Sequence, residues 1–277
     1  MTIVDAHLHV FVEESAQYPR DSSAYKPGFD PAPVELLLEH MDKNNIKFAI
    51  PVQPLFYAWD NNYVAECIKR YPDRLVGVGL VDPLDEDAEV NFNYWCGERG
   101  LQGIRLNAAY EDNSWLQDKR QYRVWDRAAK LKTPICVQGR AQHMQATYDL
   151  ARRFFEVKVV IDHMTMPDTR DAPEYDSMRW LWAMADLPNV HVKITGHYHF
   201  SKELFPYRDT WSVVEKCVRL FGPDRCLWGT DFPYMLDEPG YGKTLALTKE
   251  LLPFLTDHDR QWILGGTAMT LWRFPNI

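Results

Sequence analysis

No stretch of this 277-residue chain approaches the roughly 18 consecutive apolar residues of a membrane-spanning helix, so no membrane span is expected. Basic residues are in the minority: 31 Lys and Arg face 39 Asp and Glu, for a net charge of −8. With no basic cluster to offset that balance, a nucleic-acid or anionic-membrane partner is not expected. Cysteine is scarce. The five residues (Cys67, Cys96, Cys136, Cys217 and Cys226) show neither CxxC nor metal-finger spacing. The opening MTIVDAH has no charged n-region and no apolar h-region, so no signal peptide is expected, and the odd cysteine count fits reduced thiols in a cytoplasmic protein. No internal repeat, low-complexity tract or linker breaks the chain, and no Gly-x-Gly-x-x-Gly follows an early strand. A single domain over residues 1–277 is the expectation.

What the chain does contain is arranged around residues 3–9, Ile-Val-Asp-Ala-His-Leu-His. Val4, Ala6 and Leu8 alternate with Asp5, His7 and His9, which is the period of a strand. Residues two apart on a strand share a face, so the two imidazoles stand together and suit one divalent cation. Seven more strand-like segments follow, each with a helical segment after it. They are 46–52, 75–81, 103–107, 134–138, 157–163, 190–196 and 225–231. Several are apolar through most of their length, as in a parallel sheet covered on both faces. Eight such alternations predict a (β/α)₈ barrel, that is, a TIM barrel of the α/β class, in preference to a doubly wound sheet. The polar stretch from Val12 to Pro33 is too long for a simple connector and is expected to act as a lid.

In a barrel of this kind the active site lies at the C-terminal ends of the strands. Polar residues gather there: His7 and His9 on the first strand, Gln53 after the second, Arg105 and Asn107 on the fourth. Gln138 and Arg140 end the fifth, Asp162 and His163 the sixth, His197, Tyr198 and His199 follow the seventh, and Asp231 ends the eighth. An Arg inside a barrel strand is costly to bury unpaired, so Arg105 is expected to meet either a carboxylate of the protein or a substrate anion. Gln53, Tyr57, Arg140 and His197 are the other expected substrate contacts, with Trp59 and Tyr234 placed to flank a ring. Asp5 and Asp162 are expected to orient neighbouring imidazoles. His40, His143, His191 and His258 are taken as structural.

Three segments, Asp5-x-His7-x-His9, Ile161-Asp162-His163-Met164 and Trp228-Gly229-Thr230-Asp231-Phe232-Pro233, resemble the amidohydrolase superfamily, and specifically its "amidohydrolase 2" branch of TIM-barrel hydrolases. The segment Ile263-Leu264-Gly265-Gly266-Thr267-Ala268 also looks like that branch. The resemblance extends from residue 3 to about 273. It implies His7, His9, His163 and Asp231 as ligands of one divalent metal, zinc by preference. It also implies Asp231 and His163 as the groups that move protons. The strand-5 histidine often found in metal-dependent members is replaced here by Gln138, and similar lactonases keep the same His and Asp residues without metal. The activity implied is hydrolysis of a carboxylated or sugar-derived lactone, a small-molecule substrate. The alternative is a metal-dependent decarboxylation of an aromatic or related unsaturated acid. Assembly into a homo-oligomer is left open.

Overall fold

The computed structural model describes residues 1–21, 30–108 and 113–275. Eight strands run β1 (Val4–Leu8), β2 (Phe48–Pro51), β3 (Val78–Leu80), β4 (Gly103–Asn107), β5 (Ile135–Gln138), β6 (Val159–Ile161), β7 (Val190–Ile194) and β8 (Cys226–Trp228). All named pairings are parallel: β1 pairs with β2, and β3 to β8 pair in sequence order. Two seams join these sheets into one barrel. Single bridges link Ala49 to Leu75 and Val52 to Val78 on one side, and Leu8 to Phe232 on the other. On the second seam the His9 amide donates to Phe232 O at 2.6 Å and the Asp231 amide to His7 O at 2.7 Å. The first strand and the residues after the last are thereby laced together. This is the TIM barrel that the eightfold alternation predicts.

The strands are shorter than their apolar runs suggest, because three to five residues suffice to tie each strand to its neighbours. Between them run helices such as Val34–Lys43, Asn62–Arg70, Tyr122–Leu131, Met144–Arg153 and Trp211–Phe221. Each turns an apolar stripe inward; Leu37 and Met41, or Val124, Trp125 and Ala128, are fully buried while their polar neighbours face out. A separate apolar cluster drawn largely from the strands, including Val4, Ala6, Ile50, Val78, Cys136, Val160 and Leu227, packs with Ala268 and Trp272. This filling makes the barrel a packed core rather than a pore, so chemistry is confined to its upper rim.

β1 departs from simple alternation. Asp5 pairs with Ala49 and Leu8 with Pro51, so β1 spends three steps where β2 spends two. One extra residue of this kind re-aims side chains on either side of it. His7 and His9 still converge, with ring centroids 5.2 Å apart and nearly perpendicular. Asp5 is directed elsewhere: it accepts from Thr230 N (2.9 Å), Thr230 Oγ1 (2.5 Å) and Tyr241 Oη (2.7 Å). Its expected role beside an imidazole is therefore corrected. Asp5 anchors the end of β8, and burial pushes its carboxyl up to about 6 against these hydrogen bonds.

Of the stretch expected to act as a lid, residues 22–29 lie outside the described residues. Its two described ends are tied to the rim. Phe11 N donates to Ala32 O at 2.9 Å, Asp21 N to Phe56 O at 2.8 Å, and the Arg20 guanidinium lies over the Phe56 ring. Among the described residues no helix is long and apolar enough to cross a membrane.

Candidate active site

His7, His163 and Asp231 are fully buried neighbours whose ligand atoms lie within 4.8 Å of one another. Backbone shape brings them there. His163, Met164, Thr165 and Met166, immediately after β6, all have positive φ, from 49° to 63°, and Asp231 after β8 has φ 62°. Left-handed non-glycine backbone is uncommon, and a run of four is held only where the surroundings over-determine it, as at functional sites. Two glycines make room. Gly196, at φ 73°, would place a Cβ 2.8 Å from His163 Nδ1, and Gly229 would place one 2.6 Å from His7 N and 2.9 Å from His7 Cβ. Gly229→Ala is therefore expected to displace β1 beside its histidines. The cost should be about 1–3 kcal/mol, typical of overpacking, and is read as a lower Tm together with reduced activity.

The two oxygens of Asp231 have different tasks. Oδ2 accepts from Tyr198 Oη at 2.6 Å and from His199 Nε2 at 3.0 Å. Oδ1 has no hydrogen-bond partner among the described residues and faces His7 Nε2 at 3.6 Å and His9 Nε2 at 3.5 Å. Burial raises the carboxyl, but the imidazoles of His163 and His7 and the His199 hydrogen bond prevail, and it lies far below the usual carboxylate range. The carboxylate is held in its ionised form, and one of its oxygens is without a hydrogen-bond partner among the described residues.

Burial disfavours the charged form of His7, His9 and His163. Burial lowers His7 well below 6.5, assisted by the nearby Lys193. Burial and the field of Arg105 bring His9 to about 4, and His163 is lowered by burial against its carboxylate neighbours. Hydrogen bonds orient the rings: His9 Nδ1 donates to Val52 O at 2.8 Å, leaving Nε2 bare, and His163 Nδ1 is bonded to Thr195 Oγ1 at 2.7 Å.

His7, His163 and Asp231 suit a divalent metal ion, and the buried, unpartnered His7 Nε2 and Asp231 Oδ1 are the kind of atoms an ion would satisfy. His9 touches this group through Asp231 without joining the three that lie within 4.8 Å of one another. Gln138, at the position of the expected strand-5 ligand, has its amide oxygen engaged by Arg105 Nη1 (3.0 Å) and Asn107 Nδ2 (2.7 Å).

The other expected contacts divide. Arg105 is 2% exposed, and it donates to two neutral groups, Gln138 Oε1 and Gln53 O, the latter at 2.7 Å. Among the described residues no carboxylate pairs with it, so the structural ion pair is not formed. Gln53 is buried and supports Arg105 through its backbone, with its amide nitrogen turned to Asp60 O. Tyr57 is buried and bonds Val12 through both its acceptor and donor sites, at 3.1 Å each, so it braces the rim. Tyr234 stands beside His9 with centroids 5.5 Å apart, whereas Trp59 is exposed. Arg140 is exposed and lines a cavity of about 290 Å³ together with Met166, Asp168, Arg170, His199 and Lys202.

His197 is buried, with its Nε2 lacking a hydrogen-bond partner among the described residues. Its Nδ1 is bonded to Thr210 Oγ1 at 2.8 Å and its ring is stacked with Tyr207. Because residues 197–200 form a single helical turn, Tyr198 and His199 are the ones that reach Asp231. His40 stacks on Tyr241 and His143 accepts from Arg140 N, as structural histidines do.

Reasoning from the sequence also missed Lys193. It is fully buried on β7, in an ion pair with Asp162 at 3.0 Å and 3.0 Å from His7 Nδ1. Asp162 in turn lies 3.5 Å from His7 Nδ1, so the expectation that it orients an imidazole agrees with its position. The only local signal was a lysine inside a strand whose other residues, His191 apart, are apolar.

His7, His163 and the Asp231 carboxylate thus stand together at the C-terminal rim of the barrel, where the active sites of this fold lie. The amidohydrolase family model matches residues 4–274, and the chain belongs to that family and is an enzyme of the hydrolase class. An L-fucono-1,5-lactonase of Burkholderia ambifaria is 27% identical over 284 residues, covering 98% of this chain and 95% of that protein. A probable 2-pyrone-4,6-dicarboxylic acid hydrolase from Acinetobacter baumannii, solved with citric acid bound, shares the fold with a TM-score of 0.83 at 20% identity. It covers 98% of this chain and 99% of that one. An amidohydrolase of Burkholderia multivorans with bound zinc has a TM-score of 0.81 at 20% identity, covering 99% and 100% of the two chains.

Proposed function

We propose that the protein hydrolyses a carboxylated or sugar-derived lactone, with Asp231 as general base. The carrying observation is the division of labour within that carboxylate: Oδ2 is fixed by Tyr198 and His199, and Oδ1 is left ionised and unpartnered. In the reaction, Oδ1 removes a proton from water as the water oxygen bonds to the ester carbonyl carbon. The bare Nε2 of His9 accepts the second water proton's hydrogen bond and orients the nucleophile. When the ring C–O bond breaks, Asp231 returns the proton to the leaving oxygen, and the product is a hydroxy acid. His7 and His163 line the space where negative charge develops on the carbonyl oxygen. A divalent ion, zinc by the donor types, would be held by His7, His163 and Asp231 and would supply Lewis-acid polarisation of that carbonyl.

Arg105 supports the carboxylated class, because a buried guanidinium with neutral partners offers its charge to a bound anion. Arg140 and Lys202 add positive charge around the neighbouring cavity, where Arg170 is paired with Asp168. Arg105→Met is expected to raise KM for a carboxylated lactone by 10-fold or more, as roughly 1.5–3 kcal/mol for a hydrogen bond to a charged group implies, with the parent Tm retained. Loss of folding instead would show Arg105 to be structural. The overall assignment is tested with a pH-indicator assay on lactones with and without a carboxylate. Acid release from the carboxylated or sugar-derived members supports it. Inert lactones, with CO₂ released from aromatic acids, would establish decarboxylation.

A further inference from the structure

Lys193 has no part in the hydrolysis above, yet it is among the largest fully buried side chains of the molecule. Its Nζ stands 3.0 Å from Asp162 Oδ1, 3.0 Å from His7 Nδ1 and 3.8 Å from Cys136 Sγ. The strand register sets this meeting: Ile161 of β6 pairs with Val192 of β7, which brings the following residues, Asp162 and Lys193, level. An ammonium carries only donors. The contact with His7 therefore has one polarity, with Nζ donating and Nδ1 accepting. A neutral imidazole whose Nδ1 accepts carries its proton on Nε2. That nitrogen is the one 3.6 Å from Asp231 Oδ1, and it is the atom a metal ion would need bare.

We propose that Lys193 is a positioning residue that latches His7 in the Nε2–H tautomer and so holds down the affinity of the His7–His163–Asp231 group for a metal ion. The proposal goes beyond the lactonase reading and stands whichever substrate is cleaved. For His7 to bind an ion through Nε2, its ring proton must move to Nδ1 and be donated to Asp162 Oδ1, 3.5 Å away. That leaves an N–H of His7 and the ammonium of Lys193 pointing at each other across 3.0 Å, with a dication added to the same buried corner. Either Lys193 moves out of a fully buried position or the ion stays weakly held. With Lys193 in place, Nε2 of His7 presents an N–H, a donor for an oxyanion, in place of a bare ligand nitrogen.

Two measurements test the latch without reference to activity. In the parent protein labelled with ¹⁵N-histidine, the ring nitrogens of His7, assigned by loss of their signals in His7→Gln, are expected to show a protonated Nε2 and an unprotonated Nδ1. An Nδ1–H tautomer overturns the proposal. In calorimetric titrations with zinc, Lys193→Met is expected to bind roughly 10- to 100-fold more tightly than the parent, the scale on which outer partners of a ligand move metal affinity. Because Lys193→Met leaves Asp162 buried without its cation, Lys193→Met/Asp162→Asn is titrated beside it; this pair removes both charges and keeps an oxygen for His7 Nδ1–H. Zinc affinity equal to or below the parent's in the variants that fold overturns the proposal.

Discussion

Asp231→Asn is expected to lower kcat by roughly 10²–10⁴, the span associated with a positioned general base. The amide keeps the size and an oxygen for Tyr198 or His199, but it can no longer take a proton from water. Asp231 Oδ1 has no hydrogen-bond partner among the described residues, and His7, His9 and His163 all have lowered basicity through burial, so the carboxylate is the stronger candidate for the base. KM should change much less than kcat, because Arg105 is held by Gln138 and Gln53 and not by Asp231. Steady-state kinetics on a turned-over lactone decide it. A near-parental kcat in the Asn variant would move the role of base to His163.

The second large effect is on stability. Asp162→Ala removes the carboxylate from a fully buried pair and strands the Lys193 ammonium beside apolar and imidazole neighbours. Breaking such a pair at one side typically costs about 3–5 kcal/mol, a large part of the 5–15 kcal/mol that holds a domain together. Denaturant unfolding should show it as a lower midpoint with an unchanged slope. The pH dependence has a definite sign. Burial raises Asp162, but Lys193 and His7 overcome it and hold the folded carboxyl well below 3.8. A depressed carboxyl stabilises the fold fully above its unfolded value and loses that contribution as pH falls through the folded one. The gap between parent and variant should therefore be constant from neutral pH to about pH 5 and narrow only in acid. A variant as stable as the parent at pH 7 would show the buried pair to be energetically silent.

The fold and the corners of the site could be read locally because their signals are local. Apolar runs of strand length alternating with amphipathic segments leave few architectures, and the barrel rule then places strand ends on one rim. His7 and His9 share β1, and Asp231 ends the segment that seals against it, so their meeting follows once the barrel closes. What the chain encodes only through its tertiary structure is which neighbour each rim residue meets. Lys193 looks like a stray polar residue in β7 until the register with β6 sets it beside Asp162 and His7. Asp5 shares the strand period of His7, yet the extra residue in β1 sends it to Thr230 and Tyr241. Tyr198 and His199 displace His197 because a single helical turn, not an extended strand end, follows Gly196. The left-handed backbone of His163 and Asp231 has the same origin: local propensity disfavours it, and it persists because packing across the barrel, with glycine where a Cβ would strike His7 or His163, leaves no other path.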